Sequence, residues 1–128
     1  MRRTCLTTPA KINPSPNRGE VWWINFDPSI GAEQRKTRPA VVINVAAVGK
    51  LPLRIVVPIT GWDPKYLTIP WLVYLKSSQR NGLKKESAAD CFQVKSLSLD
   101  RFESLMGVLT ADEIEQISAA VALCVGAS

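Results

Sequence analysis

A small, strongly curved, mostly antiparallel β-barrel of SH3-like type, mostly β with one C-terminal helix, is the fold that three features of this chain predict. Short runs of β-branched and aromatic residues recur between Glu20 and Leu109, separated by Gly, Pro and Asn turns. Thr110 and Glu113, a hydroxyl and a carboxylate three residues apart, then open an apolar pattern of helical period. With 128 residues, 46% of them hydrophobic and 21% charged, the chain is large enough for a single core without disulfide staples and too apolar to be mainly disordered.

Taken in order, residues 1–17 hold Pro9, Pro14 and Pro16 among Ser, Thr and Asn and are expected to form a flexible leader; residues 18–128 are the expected domain. Glu20–Phe26 is the first expected strand. Its Trp22, Ile24 and Phe26 share the more apolar face and should point inward, leaving Trp23 exposed or at an interface. Pro39–Val45 and Leu53–Thr60 are the next two strands, and Pro58 removes a donor from the latter, implying an edge or a bulge. Trp62-Asp63-Pro64 reads as a turn before a strand within Leu67–Leu75, and Asn81-Gly82 as a second turn before a strand at Ser87–Val94. A short turn or helical segment near Ser98–Arg101 leads to a last strand, Ser104–Leu109. In the helix that follows, Ile114, Ile117, Val121 and Cys124 fall on one face, which should pack on the sheet. Its acids Asp112, Glu113 and Glu115 cluster in the first turn, where the helix dipole favours them, so they are assigned no chemistry.

Charge is divided along the chain. Residues 1–101 carry all 16 basic residues against 7 of the 11 acids, whereas residues 102–128 carry four acids and no base. A basic body of this kind suits a polyanion such as RNA or DNA. The longest apolar stretch, Ala40–Val48, is interrupted by Asn44 and is about half the ~18 residues of a membrane span. The N-terminus has no apolar block of signal-peptide length, so the protein is expected to be cytoplasmic, with no membrane partner. Cys5, Cys91 and Cys124 fit no zinc spacing and there is no histidine, so no metal site or cofactor is expected, and Cys91 and Cys124 read as small apolar fillers.

The densest chemistry lies in Gly31-Ala32-Glu33-Gln34-Arg35-Lys36-Thr37-Arg38-Pro39, a polar loop anchored between two strands. Arginine forks match phosphate oxygens, and Glu33 is the one nearby group able to accept a proton. Glu33 has a second reading, a salt-bridge tether to Arg35, Lys36 or Arg38. Lys84 and Lys85, after the Asn-Gly turn, are further candidates for phosphate, and exposed aromatic residues such as Trp23 for base stacking. Trp62 and Trp71 are expected in core or dimer packing instead.

Arg18-Gly19-Glu20-Val21-Trp22-Trp23, Asp27-Pro28, Gly31-Ala32-Glu33-Gln34 with Thr37–Ile43, Val57-Pro58-Ile59-Thr60, and Gly82–Ser87 with Gln93 resemble, in order and spacing, the MazF/PemK (Kid) family of toxins from bacterial type II toxin–antitoxin systems. The resemblance covers about residues 18–124. It implies a PemK-like, SH3-like barrel that acts as a homodimer and a metal-independent, sequence-specific endoribonuclease, an mRNA interferase neutralised by a cognate antitoxin. In such enzymes the 2′-hydroxyl of single-stranded RNA attacks its own phosphate, leaving a 2′,3′-cyclic phosphate and a 5′-hydroxyl. Carried over by motif position, Arg38 and Thr60 correspond to catalytic residues, and Glu33 and Gln34 to loop residues of the active site. Together with Gln34, the residues expected on the RNA are Arg35, Lys36, Lys84, Lys85 and Trp23.

The chemistry agrees with that assignment. A phosphorane gathers charge on its equatorial oxygens, and a fixed guanidinium such as that of Arg38 stabilises it. On propensity alone Thr60 is simply a β-former. The chain departs from the family after the second strand, where Asn44-Val45-Ala46-Ala47 replaces the polar Asn and Asp pair of many members, so the RNA motif is not fixed by the resemblance. Two other functions remain open at this level, a gyrase-poisoning toxin on the same barrel and a non-catalytic SH3-like binding module.

Overall fold

The Val-, Ile- and aromatic-rich runs become strands because both sides of the sheet are covered. A computed structural model describes residues 15–28, 30–33, 36–48 and 51–127. Its strands are β1 (Glu20–Asn25), β2 (Thr37–Val42), β3 (Leu53–Gly61), β4 (Leu72–Leu75), β5 (Ser87–Asp90), β6 (Lys95–Ser98) and β7 (Phe102–Val108), followed by helix α1 (Ala111–Cys124). Among the described residues they make one antiparallel sheet in the order β4-β5-β3-β2-β1-β7, with β6 paired to β3 beside β5. The sheet is curved, with register shifts between β1 and β7 that add twist, and its path ends at β4 and β7 rather than closing.

Side chains alternate between two cores. Val21, Val41, Val57 and Ile59 face α1 through Ile114 and Ile117, while Ile24, Phe26, Ala40, Val42 and Val56 pack with Leu97 and Phe102 on the other side. Hence Val21 and Ile24 are both fully buried, and the expectation of one inward face on β1 is replaced by two. Trp22 is half-buried with its ring edge on Phe102 (5.8 Å, 80°), and Trp23 is half-buried too. The capping box forms as read: Thr110 Oγ1 accepts the Glu113 N–H (3.1 Å) and Glu113 Oε1 accepts the Thr110 N–H (2.8 Å).

Other elements differ from expectation for local reasons. Pro58 sits in neither an edge strand nor a bulge but opposite Ala40 inside the sheet. On its other side β3 changes partner there, pairing β6 up to Val56 and β5 from Ile59, so the missing donor falls in the handover. The strand expected within Leu67–Leu75 is there, at Leu72–Leu75, and follows a 3-10 turn over Pro64–Thr68 that Asp63 Oδ1 caps by accepting the Lys65 N–H (3.0 Å). Ser87–Val94 is broken by a 3-10 turn at Cys91–Gln93, after which β6 forms a strand that the four residues Lys95–Ser98 are too short to announce. Trp62 and Trp71 lie outside both cores, and Trp71 is 38% exposed. Residues 1–14 of the expected leader lie outside the described residues, as do Cys5, Gln34 and Arg35. Pro16, by contrast, is buried, and its carbonyl accepts Arg54 Nε (2.9 Å).

Candidate active site

Register places the first two site residues. The β2–β3 ladder pairs Ala40 with Pro58 and Val41 with Val57, so its continuation sets Arg38 across from Thr60. On the far side of β2, Ile24 pairs with Arg38 and Trp23 with Pro39. A cleft of about 230 Å³ opens here, lined by Trp23, Arg38, Thr60, Gly61, Lys84 and Lys85 over an apolar floor of Ile59, Leu83 and Met106. It is smaller than the ~300–1,000 Å³ pockets that enclose small molecules, and suits a chain segment laid across it. Arg38 and Thr60 are half-buried, whereas Lys84 and Lys85 are exposed. Lys85 lies close over Gly61: a β-carbon there would stand 3.4 Å from Lys85 Nζ. Gly61 does more than end the strand; its bare backbone admits the ammonium next to Thr60.

The lysines are delivered by a loop built on a buried polar residue. Asn81 is 2% exposed; its Oδ1 accepts the N–H of Ser78 (3.1 Å) and of Leu83 (2.9 Å), and its Nδ2 donates to the Lys76 carbonyl (2.9 Å). Backbones then approach too closely for side chains. A β-carbon on Gly107 would lie 2.3 Å from the Arg80 carbonyl oxygen, and one on Gly82, at φ +73°, 2.3 Å from that of Met106. The Val108 N–H donates to the Arg80 carbonyl (2.9 Å), tying the loop to β7.

Glu33 is not in this cleft. It lines a separate one of about 390 Å³ with Ala32, Phe92, Gln93, Val94 and Lys95, and its Oε1 accepts the Ile30 N–H (2.9 Å). Lys36 closes the same loop in a left-handed conformation, φ +63°, its N–H donating to Asp27 Oδ1 (2.9 Å) and its carbonyl accepting the Phe26 N–H (2.9 Å). Arg38, Thr60, Lys84, Lys85 and Trp23 therefore line one cleft, Glu33 lines a different one, and Lys36 is at the loop's closure.

Residues that shape the surroundings were less legible. Asn81 was expected only as a turn signal, and nothing in its neighbours announces burial. Asn44, in the stretch where the chain departs from the family pattern, is buried and accepts the Ile55 N–H (3.0 Å), which gives it a structural task. Cys91 is fully buried; burial, then Cys124 and Asp90, pushes its thiol up to about 12, and its single S–H has the Ala89 and Ile117 carbonyls within reach as acceptors (both 3.7 Å). Burial also raises the Asp90 carboxyl, against the hydrogen bond that Gln93 Nε2 donates to its Oδ2 (3.2 Å), and its Oδ1 has no partner. Among the described residues no group of three or more Cys, Asp or Glu is placed to hold a metal ion, and no helix is long and apolar enough to cross a membrane.

Comparison with known proteins bears on this geometry. Residues 17–125 match the family described as PemK-like, MazF-like toxin of type II toxin–antitoxin system. The chain is 31% identical over 112 residues to Endoribonuclease MazF9 of Mycobacterium tuberculosis (strain ATCC 25618 / H37Rv), covering 83% of this chain and 92% of that protein. It is 32% identical over 113 residues to Endoribonuclease toxin MazF of Escherichia coli (strain K12), covering 87% and 95%. Its fold is similar to the crystal structure of MazF (Form-I) from Deinococcus radiodurans, with a TM-score of 0.75, 24% identity and coverage of 89% and 99%.

Proposed function

Because the chain belongs to the PemK-like, MazF-like toxins of type II toxin–antitoxin systems, we propose that it is an endoribonuclease. It cuts single-stranded RNA at a short motif without a metal, acts as a cytoplasmic homodimer, and is held silent by a cognate antitoxin. The supporting observation is the convergence of Arg38, Thr60, Lys84 and Lys85 on one small cleft. Two lysines at the rim draw in the phosphate backbone, and the half-buried Arg38 and Thr60 meet one phosphate within it.

The reaction follows from those positions. The 2′-oxygen attacks the adjacent phosphorus as its proton leaves to a base, forming the O2′–P bond; the P–O5′ bond breaks in line, and O5′ takes a proton from solvent water. Charge accumulates on the phosphorane oxygens, where the Arg38 guanidinium supplies a fixed two-pronged donor. The Thr60 hydroxyl donates to a phosphate oxygen and fixes the approach. Glu33 is the carboxylate assigned to the 2′-proton, and it serves there by exchanging its hydrogen bond from Ile30 for substrate. Glu33→Gln tests that role: glutamine still accepts from Ile30, so the loop contact is kept, while loss of a proton acceptor lowers kcat by about 10²–10⁴-fold; a rate near wild type would overturn it.

The decisive experiment is incubation with mixed-sequence single-stranded RNA in EDTA, followed by mapping of both new ends. A recurring short motif with 2′,3′-cyclic phosphate and 5′-hydroxyl ends is expected. Intact RNA, or cleavage that EDTA abolishes, would overturn the proposal.

A further inference from the structure

The ladder between β1 and β7 stops one residue short of the end of β1. Its last pair is Ile24 with Phe102, and at Arg101, where the partner of Asn25 would stand, the chain is already in a 3-10 turn over Leu99–Arg101. Successive residues of a strand aim their backbone groups at opposite neighbours. Phe26 faces β2, donating its N–H to the Lys36 carbonyl (2.9 Å), so the carbonyls of Asn25 and Asp27 face the side that β7 has left. Arg101 fills that gap with its side chain. Its Nη1 donates to the Asn25 carbonyl (3.2 Å) and to the Asp27 carbonyl. One guanidinium nitrogen carries two N–H groups and can serve both acceptors, as the backbone of a longer β7 would have done.

What Arg101 grips is the stem of the polar loop. Asp27 is fastened at three points: its N–H donates to Asn25 Oδ1 (2.9 Å), its carbonyl accepts from Arg101, and its own Oδ1 accepts the Lys36 N–H (2.9 Å). Lys36, left-handed at φ +63°, is the residue through which the chain returns to β2. Its N–H and its carbonyl are thus both held, by Asp27 and by Phe26. Arg38 comes two residues later. It lies in one row of the sheet with Ile24 and Phe102, the row next to the gap that Arg101 fills. Contacts therefore run without interruption from Arg101 through Asp27 and Lys36 to the strand end that carries Arg38 into the cleft.

We propose that Arg101 is a positioning residue of the active site: its guanidinium clamps the end of β1 and, through Asp27 and the Lys36 turn, sets how Arg38 enters the cleft. The inference rests on the endoribonuclease reading and adds to it a residue that acts through Arg38 rather than on the RNA. A guanidinium that must face the oxygens of a phosphorane tolerates little play, since a displacement of about 1 Å can cost ~10²-fold in rate. Arg101 is half-buried and its Nη1 is engaged on carbonyls. Its loss should therefore appear in the chemical step, whereas loss of a cation that recruits the RNA backbone would appear in KM and in the dependence of KM on salt.

Two measurements test the clamp. In the first, steady-state cleavage of a mapped RNA motif is compared for wild type, Arg101→Met and Arg101→Lys, with thermal melting to establish that each is folded. Arg101→Met keeps a long side chain but no donor, and should lower kcat about tenfold or more with KM and its salt dependence within about twofold of wild type. Arg101→Lys still donates and should recover much of kcat. An unchanged kcat in folded Arg101→Met, or a loss carried by KM, overturns the clamp. In the second, amide exchange of wild type and Arg101→Met without RNA is read residue by residue by NMR. The Lys36 amide should exchange at least about tenfold faster in the variant, beyond any change at Val41 and Ile117, which report opening of the core. Equal exchange at Lys36 overturns the clamp whatever the cleavage shows. If Arg101→Met does not fold, Asp27→Ala breaks the same chain of contacts at its second member and carries both comparisons with the same expectations. Wild type that leaves RNA intact fails the endoribonuclease reading alone; faster exchange at Lys36 would then still support the clamp.

Discussion

Replacing Asn81 by alanine should loosen the lysine loop before it touches any chemistry. The side chain satisfies three backbone groups, the N–H of Ser78 and of Leu83 and the carbonyl of Lys76, from a position only 2% exposed. At a net value of about 1 kcal/mol for each hydrogen bond, Asn81→Ala costs about 3 kcal/mol, with more to come if the Leu83 N–H stays dry. For a domain of this size that corresponds to a fall of roughly 12 °C in Tm. Urea unfolding with an unchanged m-value is the assay, and cleavage rate well below the new midpoint is the functional readout. Because Lys84 and Lys85 hang from this loop, kcat/KM should fall while the variant is still folded. A loss below about 1 kcal/mol with an unchanged rate would refute the placement of Asn81 as the loop's anchor. Asn81→Asp adds a sign. It keeps both N–H partners but sets a buried carboxylate against the Lys76 carbonyl, which raises its pKa in the folded state; its stability deficit should therefore shrink as pH is lowered and grow as pH rises.

Further outcomes follow from the same geometry. Gly107→Ala drives a β-carbon to 2.3 Å from the Arg80 carbonyl oxygen, backbone that cannot swing aside, and should cost ~3 kcal/mol or more by urea unfolding. Lys36, at φ +63°, should tolerate glycine with little change, whereas Lys36→Val should lose about 1–2 kcal/mol because a β-branched residue resists that backbone. Burial raises the folded-state Asp90 carboxyl above its unfolded value, so its contribution is most favourable at low pH and is lost as pH rises above the ordinary aspartate range. Asp90→Asn should consequently raise Tm at pH 7, with the gain disappearing under acid conditions. With no histidine in the chain, the pH–rate profile should lack an imidazole inflection near neutrality.

The order of strands, the capped helix and the cleft's cations were legible because each has a short-range signature. Thr110 and Glu113 announce a helix start by their spacing, and β-branched runs such as Ile55–Ile59 announce a strand. Arg38 and Thr60 came from motif position, and register explains why distant residues meet: the ladder that pairs Ala40 with Pro58 carries them opposite each other. What stayed hidden depends on partners far along the chain. Whether Pro58 marks an edge depends on β6 handing over to β5, and Lys95–Ser98 is a strand only because Leu53–Val56 lies beside it. Asn81 looks like any turn asparagine until β7 arrives against it through Gly107. Trp62 lies outside both cores; its place on the face of Thr60 follows from an alternation that continues past the glycine ending β3. The separation of Glu33 from Arg38 arises from loop backbone, where a turn at Gly31 and a left-handed Lys36 divide one polar stretch between two clefts.

Single-turnover cleavage of a mapped RNA motif by wild type, Arg38→Ala and Arg38→Lys, all in EDTA, tests most directly the role given to this cleft. Loss of the guanidinium should slow the chemical step by about 10²–10³-fold or more, because among the described residues Arg38 is the one guanidinium that lines the cleft. Lysine restores charge without the two-pronged geometry and should recover only a small part of the rate. Cleavage by folded Arg38→Ala at the wild-type rate and the same motif would contradict the assignment of phosphate stabilisation to Arg38.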